Sequence, residues 1–247
     1  MTRRGAIGAL ASVAGLCLVS AGRAAGRQRR SLATNGGAAS ENILLADNFS
    51  DPSNGALPTQ SRQPNETQLG YVNGEYQLAV VDPAYALGTF VSVPGSYTDT
   101  AIDLDVRMLP QNKPQAAFFL RCRYDFTPPG GIAGYSFGLY PLQGAFSFGR
   151  WDPSSDSSTA DLTNLLAGGA VQYSSAIRQG TAENHVQLSS DGDLLTASLN
   201  GTLMASLRDE TFKVGRIQLA AGFGTGGRLD ISGPIDVRLG NLIITGL

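Results

Sequence analysis

Apolar and polar side chains change places at every second residue through most of this chain, and that period constrains its fold more than any other feature of the sequence. In 101–109, Ile102, Leu104, Val106 and Met108 fall on one side and Asp103, Asp105 and Arg107 on the other. This is the alternation of an extended strand with one face in a core and one in water. In 115–124, Phe118, Leu120, Cys122 and Tyr124 share a face opposite Phe119, Arg121 and Arg123. The same pattern, bounded by Gly, Pro, Asn and Asp, predicts strands at 43–48, 69–81, 86–93, 98–109, 115–124, 133–140 and 144–151. Later strands are predicted at 171–177, 184–190, 193–200, 202–208, 213–223 and 235–245. About a dozen strands with short spacers make an all-β antiparallel sandwich, in which 98–109 and 115–124 are expected to be neighbours.

Two local signals refine this. Asn200-Gly201 lies between the apolar rows Leu195/Ala197/Leu199 and Leu203/Ala205/Leu207, and a two-residue hairpin turn needs the positive φ angles that Asn and Gly tolerate. Helix is confined to one short stretch, 160–167, with Asp156 or Ser158 as its cap. Composition agrees with strands jointed by glycine, since the 247 residues include 31 Gly and only 15% are charged.

The amino end is different in kind. Arg3 and Arg4 precede an uncharged run from Gly5 to Ser20 and small residues from Ala21 to Ala25, which reads as an export signal over 1–25, too short and too weakly apolar for a membrane span. The paired arginines resemble a twin-arginine signal, with an ordinary secretory signal as the alternative. Residues 26–42 have little apolar content and no period, so they read as a flexible tether, leaving 43–247 as the sandwich domain. The protein is therefore expected outside the cytoplasm, extracellular, periplasmic or at the cell surface, with no membrane insertion once the signal is removed.

The first 30 residues hold six of the 18 cations and none of the 20 anions, so the remainder carries 12 cations against 20 anions. That acidic balance disfavours a phosphate backbone as partner, so no nucleic acid is expected. Cys122 is the one Cys beyond the signal, so an intrachain disulfide is not expected. His185 is the only His, and no Gly-x-Ser-x-Gly elbow accompanies it, which argues against a serine-hydrolase triad. One His and one Cys do not make a zinc site. Calcium needs oxygen ligands alone, and Asp47 with Asp51, or Asp191 with Asp193 in a tight turn, are the residues that suit it, although Asp at these positions also simply makes turns. No other cofactor is expected.

Asp47-Asn48-Phe49-Ser50-Asp51-Pro52-Ser53, Gly70-Tyr71-Val72-Asn73-Gly74-Glu75-Tyr76, Cys122-Arg123-Tyr124, and Asn200-Gly201-Thr202 with Asp209 and Phe212 together resemble a secreted bacterial family of concanavalin A-like lectin/glucanase jelly-roll domains. The resemblance covers about 43–247 and implies a jelly-roll sandwich more firmly than it implies an activity. It departs from the family at Gly55-Ala56, where Gly-Trp is usual, and at Gly240-Asn241, where Asp-Asn is usual. Retaining glucanases of this form use two Glu flanking an Asp on one strand, with acid and nucleophile about 5 Å apart. Asp103-Leu104-Asp105 offers no Glu.

A binding role then rests on two groups of residues. Asp103, Asp105, Arg107, Arg121 and Arg123 would form a polar groove whose planar groups hydrogen-bond sugar hydroxyls. Tyr135 and Trp151, from the aromatic-rich stretch 124–151, would stack on sugar rings. The leading expectation is an exported, non-catalytic, lectin-like protein that binds a poly- or oligosaccharide. The alternatives are a glycoside-active enzyme similar to keto-glycoside lyase/hydratase sandwich domains, and a structural or protein-binding envelope module.

Overall fold

A computed structural model of the chain describes residues 42–53, 55–59, 65–82, 88–127, 131–152, 161–167, 171–223 and 234–247. The predicted signal, the predicted tether as far as residue 41, and the caps Asp156 and Ser158 lie outside these residues, while Asn42 at the end of the predicted tether opens a strand. The first strands are β1 (Asn42–Asp47), β2 (Thr67–Val72), β3 (Glu75–Val80), β4 (Gly88–Tyr97) and β5 (Thr100–Met108). Then come β6 (Ala116–Thr127), β7 (Gly131–Tyr140), β8 (Ala145–Asp152), β9 (Asp161–Asn164) and β10 (Gln172–Tyr173). The last are β11 (Asn184–Asp191), β12 (Leu194–Leu199), β13 (Thr202–Arg208), β14 (Gly215–Phe223) and β15 (Ile235–Gly246). Among the described residues there is no helix.

The strands form two antiparallel sheets. The first runs β13-β12-β11-β5-β15-β3-β2, with β1 added on β15, and the second runs β10-β8-β7-β6-β14-β4, with β9 added on β8. Their inner faces share one core, to which β5 brings Ile102, Leu104, Val106 and Met108 and β6 brings Phe118, Leu120 and Cys122. Burying each of the larger side chains stabilises the sandwich by about 1.5–3 kcal/mol. Burial also pushes the Cys122 thiol up to about 12, so it stays protonated and packs as a small apolar group.

Several local expectations are corrected. Segment 69–81 is a hairpin, because Asn73 and Gly74 take φ of 54° and 79° and pair Val72 with Glu75. Asn200 and Gly201 make the same turn (φ 51° and 80°), as their sequence predicts. Past that turn a bulge changes the register from Ala197–Ala205 to Ser198–Leu203. The extra residue in β13 leaves Leu203 61% exposed and packs Met204 against the core instead. The stretch expected to be helical supplies the edge strand β9, whose Asp161–Asn164 pair with Asp152–Gly149 of β8.

The largest correction concerns β5 and β6. They lie in different sheets, since β5 pairs with β11 and β15 while β6 pairs with β7 and β14. The chain crosses from one layer to the other between them.

Candidate functional site

A bulge in β6 sets up the outer face of the second sheet. Arg123 adopts φ 47°, and the pairing of β6 with β7 slips between Cys122 and Asp125. Glycines on both neighbours make room: a Cβ on Gly215 would lie 2.4 Å from the Arg123 carbonyl carbon, and one on Gly134 would lie 2.7 Å from the Tyr124 Cα. The slip breaks the alternation read from sequence. Cys122 belongs to the inner core, whereas Tyr124 stands on the outer face beneath Arg121.

Rows of paired residues cross this outer face. One runs Phe90, Ala220, Phe119, Gly138, Ser147, and the next runs Ser92, Gln218, Arg121, Ser136, Gly149. Small side chains make the floor and rings make the walls. Gly138 leaves room for its neighbours, because a Cβ there would lie 2.5 Å from Ser147 Oγ and 3.1 Å from the Phe119 ring, and both would have to shift. The result is a groove of about 270 Å³ lined by Phe90, Phe119, Arg121, Ser136, Ser147 and Trp151 among others.

Arg121 is the charged residue of this groove. Its Nη1 donates to Gln218 Oε1 at 2.5 Å, and its guanidinium lies over three rings, Tyr124 at 5.3 Å, Phe119 at 5.6 Å and Trp151 at 6.0 Å. Desolvation by burial lowers its pKa from the ordinary arginine value. Three buried nitrogens, Arg121 Nε, Gln218 Nε2 and Trp151 Nε1, have no hydrogen-bond partner among the described residues.

The other residues singled out from sequence lie elsewhere. Asp103, Asp105 and Arg107 point outward from the first sheet, where Asp105 meets His185 Nδ1 at 2.9 Å and accepts Asn241 Nδ2 at 2.7 Å. Asp103 accepts Gln187 Nε2 at 2.6 Å, and Arg107 donates to both Glu75 oxygens at 2.6 and 2.5 Å. They share no groove with Arg121, because the outer faces on which they stand point away from each other.

Arg123 is turned by the bulge into the end of the sandwich and is 2% exposed. There it donates to the carbonyls of Thr98 (3.2 Å), Gly192 (2.7 Å) and Phe212 (3.1 Å) and to Asp99 Oδ1 (2.8 Å). A pocket of about 350 Å³ adjoins it, but each nitrogen of the guanidinium is hydrogen-bonded within the protein. Tyr135 is a core residue on the inner face, with its hydroxyl 2.7 Å from Asp209 Oδ1 and accepting from the Phe212 N–H at 3.1 Å. Asp47 Oδ1 accepts the Phe49 N–H and Oδ2 accepts Ala56 N–H and the Tyr71 hydroxyl, while Asp51 Oδ1 accepts from Ser53. Both aspartates thus organise turns through their own oxygens, and no cluster of three metal-ligating side chains occurs among the described residues.

Of the proposed sugar-contacting residues, the structure therefore brings together Arg121 and Trp151. Sequence reasoning missed Phe90, Phe119 and Gln218. The available signal was the row of small residues Gly134, Ser136 and Gly138 beside them, since glycine inside a strand marks a place where something approaches closely.

No family model and no curated protein matches the chain. Solved structures do. A Bacillus licheniformis β-glucanase superposes with a TM-score of 0.55 at 11% identity, covering 84% of this chain and 100% of its own. The κ-carrageenase of Pseudoalteromonas carrageenovora, solved with an oligotetrasaccharide of κ-carrageenan, gives 0.56 at 8% identity over 87% of this chain and 99% of its own. A Bacillus subtilis protein of unknown function with a galectin-like fold gives 0.56 at 11% identity over 83% and 96%. At these identities the likeness is one of fold, and with the two antiparallel layers described above it shows a concanavalin A-like jelly-roll sandwich fold.

Proposed function

We propose that this is an exported saccharide-binding protein that holds its ligand in the groove on the outer face of the second sheet without cleaving it. The observation that carries this reading is the groove's construction. A floor of small residues between ring walls, with Phe90 48% exposed and Trp151 half-buried, offers flat apolar faces against which a sugar ring stacks. The β-glucanase and the κ-carrageenase that share the fold support a saccharide as the ligand class. Export would bring the protein to polysaccharides outside the cell.

The lining supports binding without cleavage. Hydrolysis of a glycosidic bond by the common routes needs two carboxyl groups facing each other across it, and no Asp or Glu lines the groove among the described residues. Glycan-array binding by the wild-type protein is expected to be lost in Trp151→Ala and weakened in Phe90→Ala, with no new reducing ends or unsaturated products from the bound polysaccharide. Release of such products would make the protein an enzyme, and full binding by both variants would remove the groove from the account.

A further inference from the structure

The five described arginines that are not solvent-exposed divide sharply. Arg107 meets Glu75, Arg123 meets Asp99, Arg150 meets Asp152 and Asp209, and Arg238 meets Asp236. Arg121 meets no carboxylate among the described residues, and its relief comes from the faces of three rings, the Gln218 amide oxygen and the Tyr124 hydroxyl beside it. Removing a cation from water without a counter-charge is costly, and ring faces offset only part of that cost. The groups left without partners at the same spot, Arg121 Nε, Gln218 Nε2 and Trp151 Nε1, are N–H donors without exception. A neutral sugar presents hydroxyls that both donate and accept. A carboxylate or sulfate oxygen only accepts and brings a charge opposite to the guanidinium, so it complements a cluster of donors around a cation better than a hydroxyl does.

From this we infer that the groove selects saccharides bearing an oxyanion, a uronate carboxylate or a sulfate ester, and that Arg121 is the residue that reads the charge, with Gln218 orienting its guanidinium. The inference rests on the saccharide reading of the same groove and adds its ligand class. The three unpartnered nitrogens are shielded from water, so an entering anion reaches them by moving the side chains that cover them.

The test uses calorimetric titration of the wild-type protein with oligogalacturonides, sulfated dextran, and neutral dextran and cello-oligosaccharides. The acidic ligands are expected to bind at least about tenfold more tightly than the neutral ones, because a hydrogen bond to a charged group contributes about 1.5 kcal/mol or more. The two acidic arms decide between carboxylate and sulfate. Arg121→Gln is expected to erase that preference, Arg121→Lys to retain part of it, and Arg216→Gln, on the exposed flank of the same sheet, to leave it unchanged. Equal affinity for neutral and acidic ligands, lost in Trp151→Ala but unaffected by Arg121→Gln, would overturn the charge selectivity while leaving the saccharide reading standing. Binding of none of these ligands would remove both. If Arg121→Gln is poorly folded, the Arg121 Nε–H resonance of the wild-type protein serves instead: it should move on addition of oligogalacturonide or sulfated dextran and stay still with neutral dextran, and no movement with any acidic ligand that binds would overturn the inference.

Discussion

The two outer faces of the sandwich differ in what their charges touch. On the first sheet, Asp103, Asp105, Arg107, Asp236 and Arg238 are all engaged by neighbouring side chains: His185, Gln187, Asn241, Glu75 and one another. On the second sheet a desolvated guanidinium stands among rings over a floor of Gly, Ser and Ala. The charges of the first face are paired within the protein, whereas the second holds three N–H donors without a partner among the described residues. Arg121 and Arg123, two residues apart on one strand, repeat the contrast. A bulge sends Arg123 inward to hold three carbonyls and a carboxylate, and the regular strand sends Arg121 outward into the groove.

The largest effect that would sharpen this comparison is on stability. Arg123→Met should cost about 3 kcal/mol or more, chiefly because the carbonyls of Thr98, Gly192 and Phe212 lose their donor. Asp99 contributes less to that loss, since its side chain is 41% exposed and regains water. Arg121→Met, by contrast, should be neutral or stabilising, because it replaces an uncompensated cation with an apolar side chain of similar length. Urea unfolding of the two variants checks this, and equal losses would mean that Arg121 is as structural as its neighbour.

An intermediate effect concerns the end of the sandwich. Burial pushes the Asp209 carboxyl up, but hydrogen bonds from the Tyr135 hydroxyl and from Thr211, together with the Arg150 charge, overcome it and hold the carboxyl below its ordinary value of 3.8. Its stabilisation is therefore fully present above pH 3.8 and is lost as the pH falls through the lowered native value. Asp209→Asn should flatten this acid limb of the stability profile, and Tyr135→Phe should cost about 1–2 kcal/mol at neutral pH. A variant profile parallel to that of the wild type down to pH 2 would contradict the assignment.

How much of this was legible in the sequence follows from the range over which each signal acts. Alternation is local, so it located the strands, the Asn200-Gly201 turn and the buried rows of Ile102, Leu104, Phe118 and Leu120. Which strand pairs with which is not local. The alternating faces of 101–109 and 115–124 look equally ready to pair, and nothing in either shows that the chain changes sheets between them, so the groove built on that pairing mixed residues from two separate faces. The bulge was hidden for another reason: an arginine at positive φ carries no signature of its own, and its trace lies in Gly134 and Gly215 on neighbouring strands. Trp151 was found because a ring at the end of a strand beside Asp-Pro tends to stay partly exposed, while Phe90, inside the predicted strand 86–93, carries no such marker.

The smallest effect is expected on the first face. Asp105→Asn should change stability by no more than about 0.5 kcal/mol and leave saccharide affinity unchanged by calorimetry. A loss of affinity there would move the binding site to the first sheet.

Trp151 is the single tryptophan of the chain, so its emission reports on the groove and on nothing else in the protein. Titration with an acidic oligosaccharide that calorimetry shows to bind should shift or quench that emission in step with the calorimetric isotherm. Binding with the emission unchanged at saturation would place the ligand elsewhere and contradict the account.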